Sequence, residues 1–112
     1  MSTQAFSGDL PFNDAKVSTA VVLETSFSKE IRILMKSGQQ MKEHRAPFPI
    51  IVHMIQGEIQ FGVEGEKSLL TEGDILSLDA NVPHDLVAKA DSVVRLTLSK
   101  DDSHQRVQDV TS

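Results

Sequence analysis

Punctuation restricts this chain more than any other feature of its sequence. Turn residues recur at short intervals: Ser37-Gly38, Gln56-Gly57, Glu64-Gly65, Glu72-Gly73, Asp79 to Pro83, and Ala90-Asp91. Between and before them lie short runs rich in Val, Ile and Leu: VSTAVVL, IRILM, PIIVHMI, EIQFGV, KSLL, DILSL, DLVAK and SVVRLTL. No window holds the apolar spacing of an amphipathic helix of three turns or more. Short strands separated by regular turns indicate an all-β sandwich or barrel. Residues 1–16 are polar and carry Gly8 and Pro11, which reads as a loose arm. Residues 17–99 read as the barrel, and residues 100–112, polar and charged, as a frayed tail.

One stretch allows side chains to be assigned to faces. Ile50, Val52 and Met54 alternate with Ile51, His53 and Ile55, and after Gln56-Gly57 the residues Ile59, Phe61 and Val63 alternate with Glu58, Gln60 and Gly62. A two-residue loop at Gln56-Gly57 predicts a hairpin pairing Met54 with Ile59 and His53 with Gln60. The wholly apolar face is then the interior. The mixed face, with Ile51, His53 and Ile55, is the expected surface of a homodimer. Arg32 and Arg95 alternate with apolar neighbours and belong on the outside as well.

Composition removes several function classes. At 112 residues the chain is one domain. It has no cysteine, so disulfides, thiolate metal sites and cysteine nucleophiles are excluded. Eleven Lys and Arg against sixteen Asp and Glu give a net charge of −5, which offers no attraction to a phosphate backbone. With no Trp or Tyr there is little for bases or sugar rings to stack on, and no nucleic-acid partner is expected. The amino terminus lacks a basic start followed by an apolar run, and the apolar stretch from Pro47 to Ile55 is too short to span a bilayer. The expectation is a cytoplasmic protein with no membrane association.

The segment from Gly38 to Ala88 resembles the cupin superfamily. That family's first motif runs G-x5-H-x-H-x3-E-x6-G. Gly38, His44 and Gly57 fall in register with it, while Ala46 stands at the second His position and Ile50 at the Glu position. The second motif runs G-x5-P-x-G-x2-H-x3-N. Gly73 and His84 fall in register, with Asp79, Asn81 and Ala88 at the Pro, Gly and Asn positions. Asn tolerates a positive φ better than most residues, so Asn81 is a mild replacement for Gly.

The resemblance implies a cupin jelly-roll β-barrel, also called a double-stranded β-helix. In metal-binding cupins the two motif-one histidines, the glutamate and the motif-two histidine converge on one metal. Of these positions only His44 and His84 carry a ligating side chain here. They are the candidate ligands for a divalent transition metal (Zn, Fe, Mn or Ni), although stable sites use three or four protein ligands. The implied pocket would place His44 and His84 across an apolar cavity built from Val52, Met54 and Phe61. The expected function is a stand-alone cupin binding a small organic ligand. The competing expectation is a metal-dependent enzyme of the dioxygenase, isomerase or decarboxylase type, or a metal-free enzyme using a histidine as general base. His53 falls on the outer face and His104 in the polar tail.

Overall fold

The computed structural model describes every residue except Ser2, Ser7 and Ser112. Nine strands and one short helix follow in chain order among the described residues. They are β1 (Ser18–Glu24), β2 (Ser28–Met35), β3 (Gln40–His44), β4 (Ile50–Gln56), β5 (Glu58–Val63), β6 (Glu66–Thr71), β7 (Ile75–Leu78), β8 (His84–Ala88), β9 (Ser92–Ser99) and α1 (His104–Gln108). A five-stranded sheet runs β1-β2-β9-β4-β7, and a four-stranded sheet runs β3-β8-β5-β6. All pairings are antiparallel. The result is the all-β jelly roll expected from the strand spacing and the resemblance. No helix among the described residues is long and apolar enough to cross a membrane.

The core lies between the two sheets. Ile31, Ile33 and Met35 of β2, Ile50, Val52 and Met54 of β4, and Val94, Leu96 and Leu98 of β9 face Met41, Ile59, Phe61, Leu86 and Ala88 of the smaller sheet. Period-two alternation produces this directly, since each strand turns every second side chain inward. Each fully buried aliphatic of this size contributes about 1.5–3 kcal/mol relative to exposure.

The inward and outward faces of β4 and β5 are as the sequence indicates, but the predicted hairpin between them is not formed. β4 pairs with β7 and β9, while β5 pairs with β6 and β8. Gln56-Gly57 is a corner where the chain leaves one sheet for the other. Gly57 has φ 92°, and a Cβ there would collide with the Ser92 side chain and the Asp91 carbonyl. Both sheets turn their apolar faces to one core, so alternation alone does not tell a hairpin from a corner. The two-residue hairpin occurs instead at Glu64-Gly65, with φ 52° and 84°, joining β5 to β6 with Val63 opposite Glu66.

The tail also departs from expectation. Residues 104–108 form α1, capped by Ser103, whose side chain accepts from the Arg106 N–H at 3.1 Å. Val107 is buried in the main core. Asp102 is buried too, and its carboxylate accepts from Arg106 through Nε at 2.7 Å and Nη2 at 2.8 Å. The Lys29 ammonium donates to the carbonyls of Lys100 and Asp102. A polar sequence with a single inward apolar residue leaves no periodic signal, which is why the helix is silent in the sequence. At the other end the arm is mostly exposed, yet it touches the barrel: Gln39 donates to the Asn13 carbonyl at 2.7 Å, and Asp14 pairs with Lys36 at 2.9 Å.

Candidate functional site

Two local features bring His44 and His84 together. Strict alternation from inward-facing Met41 would turn Glu43 inward and His44 out. The β3–β8 ladder carries a register shift between Met41 and His44, so that Met41 opposes Leu86 and His44 opposes His84. The extra residue of this bulge resets the pleat and points both Met41 and His44 into the barrel. Glu43 is left exposed and Asp85 half-buried on the opposite faces of their strands. The second feature precedes β8. Asn81 adopts φ 66°, the left-handed conformation the motif assigns to Gly, and its N–H donates to the Ala46 carbonyl at 2.7 Å. That bond ties the loop before His84 to the segment after His44.

The two imidazoles meet edge to face, with centroids 4.2 Å apart and planes at 62°. Phe61 stacks on the other side of His84 at 5.7 Å and 14°. In each histidine Nδ1 donates to a backbone carbonyl two residues back: His44 to Lys42 at 2.6 Å and His84 to Val82 at 2.9 Å. A carbonyl only accepts, so both rings carry their proton on Nδ1 and leave Nε2 as a lone-pair acceptor. Neither Nε2 has a hydrogen-bond partner among the described residues. Burial drives the His44 pKa down to about 4, outweighing the Lys42 carbonyl, with His84 and Arg106 pushing the same way. Burial lowers His84 as well, again with help from Arg106. Both rings are therefore neutral at pH 7.

They line a small cavity of about 20 Å³ between the sheets. Val52, Leu96 and Ile50 form its apolar wall, and Arg106 and Val107 of α1 close one side. This volume holds about one water. Of the residues predicted from sequence, His44, His84 and Val52 line this cavity together. Met54 is buried deeper in the core and does not line it. Phe61 reaches the site only through its stack on His84 and borders a separate groove with Val63, Leu70 and Leu76. Sequence reasoning missed Arg106 and Val107, since a lone Arg-Val step in a polar tail carries no signal that it folds back.

His53 stays on the outer face, in register with Arg95 of β9 and Ile75 of β7. His104 is no free tail residue: its Nε2 bonds the Thr19 hydroxyl at 2.9 Å. A divalent metal can be tested against this donor set. The Nδ1–H to carbonyl geometry is one that metal-bound histidines use. The count fails, however. Ala46 and Ile50 are buried and cannot ligate, a guanidinium lines the cavity, and no group of three His, Cys, Asp or Glu able to hold a metal occurs among the described residues. The residues present do not fit a resident metal.

Residues 31–99, more than half of the chain, match the sequence pattern of the cupin domain. The chain belongs to the cupin family. An RmlC-like cupin protein from Desulfovibrio desulfuricans superposes with a TM-score of 0.79 at 21% identity, covering 89% of this chain and 97% of that one. KdgF from a Halomonas species gives 0.71 at 24% identity, over 83% and 86% of the two chains. A variant of salicylate 1,2-dioxygenase from Pseudoaminobacter salicylatoxidans gives 0.71 at 13% identity, over 78% of this cupin and 27% of that chain. At these identities the likeness is one of fold. No curated protein matches the sequence.

Proposed function

We propose that this cupin binds a small organic ligand in the barrel pocket at His44 and His84, through hydrogen bonds to two neutral imidazoles and without a resident metal. One observation carries the reading. Two histidines have their Nδ1 protons committed to backbone carbonyls and their Nε2 acceptors free, beside the Arg106 guanidinium and an apolar wall. Two acceptors and one cationic donor suit a ligand with hydroxyl donors and an anionic end, such as a small hydroxylated carboxylate. The pocket's present volume holds a water, so admitting such a ligand requires α1 to shift. The helix has only five residues, so the segment that must move is short.

The test is an NMR titration of the two imidazole Cε1–Hε1 signals with glycolate, glycerate and gluconate. The reading expects saturable shifts at both histidines, abolished for the surviving ring in His44→Ala and in His84→Ala. If all three acids leave both signals unmoved, the proposed ligand class is wrong. The competing reading is a metal-dependent cupin enzyme, for which the Nδ1–H to carbonyl geometry is the one favourable observation. A homodimer through the β4–β7 end of the outer face of the five-stranded sheet, away from β2, belongs to the same proposal. Ile51 and Ile75 are exposed there, Ile75 to 63%.

A further inference from the structure

The outer face of the five-stranded sheet carries a row of basic side chains that the barrel pocket does not use. Arg32 of β2 stands directly opposite Arg95 of β9, and Arg95 directly opposite His53 of β4. Cross-strand partners share a face, so the three lie side by side across about two strand spacings, on the order of 10 Å. Like charges directly opposite each other are unfavourable and call for compensation. One carboxylate supplies part of it. Glu30, two residues before Arg32 and hence on the same face, accepts from Arg95 Nε at 2.9 Å and from the Thr97 hydroxyl. Glu30 is itself buried. Although that burial alone would raise its pKa, the hydrogen bonds from Thr97, Ser28 and Arg95 hold it below the usual carboxylate value. Its charge therefore offsets one arginine and leaves the other.

That other arginine is incompletely bonded. Arg32 makes no ion pair among the described residues, and its Nε is shielded from water with no hydrogen-bond partner. His53 Nδ1, at the far end of the row, is shielded and unpartnered in the same way. The two terminal nitrogens of Arg95 make no hydrogen bond to a described residue, and the Phe6 ring of the amino-terminal arm lies 6.0 Å from the Arg95 guanidinium carbon. Buried polar groups in folded proteins are nearly always satisfied, and two such orphans in one row mark a place where a partner is missing. In a chain of net charge −5 this row is a local excess of positive charge.

We infer that the Arg32–Arg95–His53 row is a binding site for a small oxyanion, a carboxylate or phosphate group, seated on the outer sheet face beside the Phe6 arm. The oxyanion accepts from the terminal N–H groups of Arg32 and Arg95, with His53 at the end of the row, as the planar guanidinium fork is suited to do. The site is separate from the barrel pocket, and it holds or fails independently of the ligand proposed there.

The experiment titrates the full chain with inorganic phosphate, and in a second arm with acetate, at ionic strength held constant with sodium chloride. Backbone amide and side-chain Nε–H signals are followed by NMR. The expected result is saturable shifts clustered on β2, β9 and β4 around the row, with affinity about tenfold weaker in Arg32→Gln. His53→Gln is the second variant, should Arg32→Gln fail to fold, and it should weaken binding as well. Lys67→Gln, which removes an exposed charge from β6, should leave affinity unchanged. Binding in the phosphate arm alone or the acetate arm alone supports the site and assigns its anion. Scattered or unsaturable shifts, equal weakening by Lys67→Gln, or unchanged affinity in both row variants would overturn the inference. So would an Arg32→Gln variant whose only change is its association state in sedimentation, since the donors would then serve an interface between copies.

Discussion

Burial gives His44 and His84 their chemical character, and it also ties them to the protein's response to acid. His44 has a folded pKa of about 4 against 6.5 for an unhindered imidazole. Between those two values the unfolded chain binds a proton that the folded chain refuses. Stability therefore falls as pH drops through that window. His84 and His104, both lowered by burial, act in the same direction. Glu30 adds an effect at lower pH: its pKa lies below the usual carboxylate value, so its stabilisation is present above that value and is lost on further acidification. Urea unfolding at pH 7 and pH 5 should show a clear loss at pH 5, and His44→Leu should shrink that difference. A pH-independent midpoint would show that neither imidazole is neutral for the reason given. A second residue, Asn81, holds its left-handed φ because its short polar side chain tolerates it. Asn81→Gly should be near neutral, whereas Asn81→Val should cost about 1–3 kcal/mol by thermal unfolding. Both histidines and Asn81 were legible in the sequence, because each sits at a fixed distance from a turn glycine.

Elements divide into those that sequence reveals and those it hides, and β4, β5 and α1 show why. The alternation of β4 and β5 specifies which side chains are buried, because period two depends only on the local chain. Which strands they pair with depends on whether Gln56-Gly57 is a hairpin or a corner. The deciding contact is Gly57 against Asp91 and Ser92, more than thirty residues away. Gly57→Ala combines a positive φ with that collision and should destabilise by at least about 2 kcal/mol, while Gly38→Ala, with open space around it, should cost less. α1 was hidden because its contribution rests on one apolar side chain and one buried ion pair. Ser103→Ala should cost about 1 kcal/mol through the lost cap. Asp102→Ala should cost more, since it strands the Arg106 guanidinium beside two buried imidazoles, and the His44 and His84 resonances should shift in that variant. If those resonances stay fixed when the Asp102–Arg106 pair is broken, α1 does not close the pocket.

At the scale of the whole molecule, two sheets enclose one core and leave a small, mostly apolar gap, with two histidines and an arginine in its lining, at the end where β3, β8 and α1 meet. The fold was readable because turn spacing and two glycine-framed motifs both point to it. The pocket was half readable: its histidines lie in those motifs, but its fourth side comes from a tail with no pattern. The motifs also state what the pocket lacks, since Ala46 and Ile50 replace two ligating positions with buried apolar groups. If this cupin uses its two histidines as hydrogen-bond acceptors, as proposed, it holds no metal between them. Metal content by plasma mass spectrometry, on untagged protein purified without chelators and beside the His84→Ala variant, tests it most directly. Far less than one equivalent of any transition metal is expected in both proteins. Near-stoichiometric metal in the native chain, lost in His84→Ala, would contradict it and place a rebuilt metal centre in the barrel.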